Sequence, residues 1–390
     1  MWKETLEGMT DVLSELLAPI PLDDFFETYW GRRFLHIRRG HPGCYDSVLR
    51  IEDVDLLLKS SDQRPAAFIK VTTNGRMHPV EEWSRIVELQ GREARVAVPE
   101  RLLDLYRAGA TLVFDRAYRT IPRLSQACQL LTAQMGCPAG ANIYVTPPGS
   151  QGFARHSDDH EVMILHISGA KTFLVYPDDG AGATEVNLEP GDLLYLPRGL
   201  AHEGRTDAAS SAHVTISFQP VYSFQIIEEL AAMARSDPRF QGIVPAAARA
   251  AGTPGGFWKQ FETDLRELVA ENPPGSLASR RRSNLLMRHQ RDAWDGRLAD
   301  LLQIEAMTLD TVCQVRPGLV TRFEQKNAVV KVICGGNSVE VPAFLRKPLE
   351  GLMDGQPHEI RGIQGMMTGA GKVRFVKPLV EAGLLTIVKL

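Results

Sequence analysis

Two stretches of this protein bring together side chains that can hold a redox-active metal. In HSDDHEVMILHISGAKTFLVYP (156–177), His156 and Asp158 stand two residues apart. In an extended backbone, residues two apart project to the same face. An imidazole and a carboxylate on one face make up two-thirds of the facial site that binds non-haem Fe(II) and leaves coordination positions open. The third ligand has to come from elsewhere. LEPGDLLYLPRGLAHEG (188–204) supplies His202, 44 residues after Asp158, a gap that suits two or three intervening strands. Pro190-Gly191 and Pro197-Arg198-Gly199 supply turns on the way. An isolated H-x-D carries little information; followed by strands, a PGD turn and PRG-x-x-H, it makes a metal site. His160, His166 and His213 read as core or supporting groups, although the even spacing of His166 from His156 leaves a ligand role open to it.

A second set of side chains suits an anionic ligand. Lys171 shares a strand face with Phe173 and Val175, while Thr172, Leu174 and Tyr176 take the other. A lysine in such company must find an anion or reach water. Asn142 and Tyr144 also share a face and can donate hydrogen bonds to carboxylate or keto oxygens. The plainer readings are a snorkelling lysine, a half-buried strand aromatic and a polar group at a sheet edge.

These side chains need a rigid cage. Between about 136 and 220, ANIYVT, VMILHI, KTFLVYP, DLLYLP and HVTISF predict five short strands divided by Gly, Pro and Asp, the pattern of a sandwich or barrel. Ahead of them lie a helical stripe (Leu13, Leu16, Leu17, Ile20), a strand at FLHIRR (34–39), a helix at VDLLLKS (54–60), a strand at AFIKVTT (67–73) entering an Asn74-Gly75 turn, and helices within 100–135. Helical texture returns at about 222–310, where Phe257, Phe261, Leu265 and Leu268 fall on one face. The run Arg280–Arg282 with Arg288 and Arg291 reads as an exposed helix face. The last segment mixes strands (TRFE, AVVKVI, SVEV, LTIVKL) with short helices (AFLRKPLEGLMD, RFVKPLVEAG). Residues 313–390 carry 11 Lys/Arg against 6 Asp/Glu, although the protein as a whole is at -3.

The 390 residues allow two to four domains at roughly 100–200 residues each. Composition, 44% hydrophobic and 23% charged, excludes disordered and collagen-like classes. The net charge argues against general nucleic-acid binding. Five cysteines without a C-x-x-C pair argue against a zinc-thiolate site or a disulfide scaffold and for a reducing compartment. MWKETLEGMTDVLSELL is amphipathic and acidic rather than a basic segment leading into an apolar one, and no apolar run approaches 18 residues. A cytoplasmic protein without a membrane partner is therefore expected.

The stretches GANIYVTPPGSQGFARHSDDHEVMILHISGAKTF, LEPGDLLYLPRGLAHEG and HVTISFQP resemble the JmjC-type 2-oxoglutarate oxygenases, and among them the ribosomal oxygenases. PLDDFFETYWGRRFLHIRRG is similar to the segment that precedes the barrel in that family. The resemblance implies a mainly β fold with added α elements: a double-stranded β-helix (jelly-roll or cupin) catalytic domain over 1–220 with its barrel core at about 136–220, a helical dimerisation region over 221–310, and a small winged-helix-like domain over 311–390. It implies His156, Asp158 and His202 as ligands to Fe(II), Lys171 as the partner of the distal 2-oxoglutarate carboxylate, and Tyr144 and Asn142 beside the cosubstrate. O2 would be the other cosubstrate, and the product a hydroxylated side chain on a protein or peptide, either a ribosomal protein or a ribosomally made precursor peptide. A homodimer is expected, with nucleic acid met only through an RNA-bound substrate. The alternatives are an N-methyl demethylase of the same chemistry and a catalytically silent cupin binding protein.

Overall fold

The computed structural model describes residues 11–63, 65–89, 91–177, 182–249, 256–289, 296–316, 319, 321–334 and 337–390. Arg291 and the MWKETLEGMT opening therefore lie outside the described residues. The protein divides into two compact units, one running to Pro220 and the other from Val221 to Leu390.

The first unit contains thirteen strands among the described residues: β1 Leu35–Ile37, β2 Ile69–Thr73, β3 Arg76–Met77, β4 Ser84–Leu89, β5 Arg92–Ala97, β6 Thr111–Phe114, β7 Ala139–Thr146, β8 Glu161–Gly169, β9 Lys171–Tyr176, β10 Thr184–Leu188, β11 Leu193–Leu196, β12 Ala201–Arg205 and β13 Ser211–Phe218. Eight form an antiparallel sheet in the order β1-β11-β8-β13-β7-β6-β2-β3. A smaller sheet runs β10-β9-β12, and β4-β5 is a separate ribbon. The two main sheets face each other. Val162 and Ile164 of β8 and Leu194 and Leu196 of β11 pack with Phe173, Val175, Val186 and Leu188 from the smaller sheet. This is the expected cupin-type barrel, and all five expected strands are present as β7, β8, β9, β11 and β13.

The large sheet is covered on its outer face as well. Met163, Leu165, Ile143, Val214 and Ile216 pack with Leu13, Leu16 and Leu17 of the helix Val12–Leu17 and with Leu124 and Leu131 of the helix Pro122–Met135. Burial on both faces explains why VMIL reads as a continuous apolar run rather than an alternating one. Asp11 caps the first helix by accepting from Ser14 N, and Pro122 opens the second, where its missing N–H costs nothing. Leu13 N donates to Gln134 Oε1 at 3.0 Å and ties the two helices together. Within 100–135, the expected helices are interrupted by β6, which joins β2 to β7 in the sheet.

The second unit begins with helices Ser223–Ala234, Gly256–Glu271, Pro274–His289 and Arg297–Gln303. Its strands are β14 Val312–Val315, β15 Thr321–Lys326, β16 Val329–Cys334, β17 Asn337–Pro342, β18 His358–Glu359 and β19 Leu385–Lys389. They form two three-stranded sheets, β18-β14-β19 and β15-β16-β17. The helix Gly369–Glu381 adds Phe375, Val376, Leu379 and Val380 to their core. A buried ion pair braces this unit: Arg316 donates to Asp300 at 2.6 Å, and Asp300 also accepts from Thr386 Oγ1 and Ile387 N. Arg280, from the basic run, lies 3.7 Å from Glu229.

Candidate metal centre

His202 lies on β12, whose inward positions alternate His202 and Gly204. His156 precedes β8 and sits in an isolated antiparallel bridge directly opposite His202. Each backbone donates to the other: His156 N to His202 O at 3.0 Å, and His202 N to His156 O at 2.8 Å. Residues directly opposite in an antiparallel pair project to the same side, so the two rings stand with centroids 4.5 Å apart. Asp158, two residues on, brings Oδ2 to 3.8 Å from His202 Nε2. One ligand atom from each of the three lies within 4.8 Å of the others.

The surroundings orient these groups. His156 Nδ1 is 2.9 Å from Ala154 O, and His202 Nδ1 is 3.0 Å from Leu200 O. A carbonyl only accepts, so each Nδ1 carries the proton and each Nε2 keeps its lone pair for a ligand. Burial lowers the pKa of His202, which favours the neutral, metal-binding form. Two neutral imidazoles and a carboxylate are a donor set that fits a divalent iron ion. The loop leading to His156 is itself held at two points. Gly152 N donates to Gly204 O at 3.0 Å, and Gly75 N, at the tip of the β2-β3 hairpin, donates to Gly152 O at 2.9 Å. Gly75 has φ +76, and a Cβ there would lie 2.7 Å from the Cβ of Ala154.

The three side chains open on a cavity that is also lined by Tyr144, Lys171, Phe173 and His213. Lys171 is 4% exposed; its Nζ donates to Thr146 Oγ1 at 3.0 Å and has no ion pair among the described residues. Burial without an anion lowers its pKa to about 7. Tyr144 stacks flat on His213, with centroids 4.8 Å apart, and burial raises the pKa of its phenol. Asn142 is placed differently: its Oδ1 accepts from Arg116 N at 2.9 Å, and it does not line the cavity. Asp159 points to solvent, 92% exposed, and pairs with His160 rather than orienting a ligand. His166 is fully buried in β8, apart from the triad, so the parity that left a ligand role open to it is not used. His213, Thr215 and Gly204 also line the cavity. The signal that could have found the first two is the alternation of HVTISF, in which His213 and Thr215 interleave with outward Val214 and Ile216.

Comparison with known proteins agrees with this geometry. Residues 114–226 match the JmjC domain family. Ribosomal oxygenase 1 of Rattus norvegicus is 32% identical over 227 residues, which span 52% of the present protein and 36% of that one. The bifunctional lysine-specific demethylase and histidyl-hydroxylase NO66 of Drosophila willistoni is 29% identical, over 59% of the present protein and 32% of its own length. The match thus spans about a third of the length of these curated relatives. The ribosomal oxygenase YcfD of Escherichia coli, solved with cobalt and 2-oxoglutarate, has the same fold, with a TM-score of 0.54 at 16% identity over 95% of the present protein and 99% of that one. The barrel, the His-Asp-His cluster and the match over 114–226 together make this segment similar to a JmjC domain, in a protein that resembles the ribosomal oxygenases.

Proposed function

We propose that this protein is an Fe(II)- and 2-oxoglutarate-dependent oxygenase that hydroxylates a C–H bond in a side group of a protein or peptide. The observation that carries the reading is one cavity holding both a two-imidazole, one-carboxylate cluster and a buried lysine with no anionic partner among the described residues. His156 Nε2, Asp158 and His202 Nε2 would hold the metal. Iron in such a site, with 2-oxoglutarate and dioxygen, supplies an oxidant strong enough to insert oxygen into a C–H bond. Lys171 would neutralise the distal carboxylate of the cosubstrate, and Tyr144, kept protonated by burial, is an O–H donor at the same wall. Val162, Ile164 and Phe173 keep the cavity dry, which strengthens each polar contact inside it.

The substrate in this reading is a polypeptide, a ribosomal protein or a precursor peptide made on the ribosome; the relatives' names, a ribosomal oxygenase and a bifunctional lysine-specific demethylase and histidyl-hydroxylase, support the first and a histidine as the residue modified. Incubation with iron, 2-oxoglutarate and cell extract should yield peptides heavier by one oxygen, and His156→Ala should abolish them. Release of formaldehyde from methylated peptides instead would favour the demethylase alternative. A protein that binds neither iron nor 2-oxoglutarate would be the silent cupin.

We assign catalysis to the domain ending near residue 220, self-association to 221–310, and a supporting winged-helix-like role to 311–390. Two helices support the second assignment. Trp258, Phe261, Leu265 and Val269 follow a helical stripe and are 38–42% exposed, and Phe224 and Ile227 are 56% and 66% exposed. Apolar faces of this kind mark interaction surfaces. Light scattering should show a dimer for the native protein and a monomer for Phe261→Glu. Five unpaired cysteines suit a reducing compartment, which we take to be the cytoplasm; among the described residues no helix is long and apolar enough to cross a membrane.

A further inference from the structure

The loop that delivers His156 and Asp158 holds more chain than the strand beside it. It is bridged to β12 at two points, Gln151 opposite Arg205 and His156 opposite His202. Between these bridges, loop residues 152–155 face only Glu203 and Gly204. Surplus residues of this kind must bow out of the ladder. The backbone donors from this stretch to β12 are Gly152 N and His156 N, at its two ends.

Side chains on the outer face of the smaller sheet hold the arch between them. His202 and Gly204 of β12, with Lys171 and Phe173 of β9, line the cavity. The alternate residues Glu203 and Tyr176 therefore face away from it. Glu203 lies opposite Leu174 and Tyr176 opposite Ala201, so the two are diagonal neighbours within reach of long side chains. The Tyr176 hydroxyl donates to Glu203 Oε1, and Gln151 Nε2 donates to Glu203 Oε2 at 2.8 Å. Arg155 lies over the Tyr176 ring, its guanidinium carbon 3.8 Å from the centroid. A hydroxyl that donates to a carboxylate enriches its ring in electron density, and such a face attracts a guanidinium more strongly.

One carboxylate thus fastens both ends of the arch, Gln151 directly and Arg155 through Tyr176. Arg155 precedes His156 in the chain, and Glu203 follows His202. The contacts run from one histidine to the other around the outside of the barrel wall. We infer that Glu203 and Tyr176 are positioning residues that hold the 151–155 arch down and so keep His156 and Asp158 in register with His202. This rests on the metal-site reading above and adds to it what secures the loop. Glu203, Tyr176 and Gln151 are half-buried and Arg155 is exposed, so water replaces the lost partners when the network is cut. The fold then keeps its stability while the metal site loses its geometry.

The test is titration of the full-length protein with cobalt(II), followed by affinity and by the visible d–d absorption of the bound ion. Glu203→Leu cuts the network at its centre, and Glu203→Gln keeps an acceptor for Tyr176. Glu185→Leu removes the ion pair with Arg205 on the same outer face and serves as the control. We expect Glu203→Leu to bind cobalt about tenfold more weakly, with an altered d–d spectrum and an unchanged unfolding midpoint of the metal-free protein. Glu203→Gln should recover most of both losses, and Glu185→Leu should match the wild type. Tyr176→Phe, which loses only the hydroxyl, carries the same expectation if Glu203→Leu does not fold. Wild-type affinity and spectrum in Glu203→Leu and Tyr176→Phe would overturn the inference. So would a loss of affinity that comes with a matching fall in the unfolding midpoint, because the network would then be a plain brace. Failure of the wild type itself to bind cobalt would instead remove the underlying metal-site reading.

Discussion

Lys171 is a charge placed where a charge is costly, and its titration reports what it is for. Its pKa falls from the ordinary lysine value of 10.5 to about 7 because burial penalises the ammonium. In the ligand-free protein that penalty is fully present below about pH 7 and fades as the pH rises toward 10.5, so this group alone makes the free protein more stable on the alkaline side. An anionic ligand reverses the balance by favouring the ammonium. Above about pH 7 binding must then take up a proton, and the affinity for 2-oxoglutarate should fall by up to about tenfold per pH unit. Calorimetry in two buffers of different ionisation heat measures this uptake, and an absence of uptake at about pH 8 would dissociate Lys171 from the ligand. At this scale the sequence was informative wherever a residue type was unusual for its setting. An H-x-D before a strand, a histidine after a PRG turn and a lysine among strand aromatics each stood out. His213 did not, because a single histidine in an apolar strand looks like core until its packing is known.

At the scale of elements, the strands easiest to read from the sequence were runs apolar on both faces, such as VMIL and DLLYL. β12 escaped because its inward residues, His202 and Gly204, serve the site and leave no hydrophobic period in AHEGR. β10 and the β4-β5 ribbon escaped for a related reason: polar or charged residues at their exposed positions, Thr184, Glu185 and Asn187 in β10 and Arg92 and Glu93 in β5, mask the few buried ones. The β2-β3 hairpin shows an element acting at a distance in sequence. Its tip holds the loop that carries His156 through the Gly75 N to Gly152 O bond. Gly75→Ala places a side group at positive φ and against Ala154, a change that destabilises by more than the roughly 0.4–1 kcal/mol that the same substitution gains at sites without strain. We expect manganese affinity to fall in this variant while far-ultraviolet circular dichroism stays native. Unchanged metal affinity would show that the loop does not need the hairpin.

At the scale of the whole molecule, the barrel was legible in strand spacing alone, whereas the second unit was legible only as texture. Its organising contact, Arg316 with Asp300, joins residues that look like ordinary surface charges in the sequence. In the structure both side chains are about 95% buried. Asp300→Ala leaves the guanidinium buried without its counter-charge and strands the Ile387 amide, at a cost of about 3–5 kcal/mol. Thermal unfolding should show the second unit melting earlier while manganese binding in the first unit is preserved. Loss of both together would mean that the two units fold as one.

The reciprocal backbone bonds between His156 and His202 set the spacing of the two imidazoles through the peptide backbone rather than through packing of the rings. Truncation at either position therefore leaves an imidazole-sized gap in an undisturbed frame. His156 is half-exposed and His202 is buried, so the gap is open to solvent only at the first. Free imidazole added to His156→Gly should restore metal binding by chemical rescue, and the same treatment of His202→Gly should not.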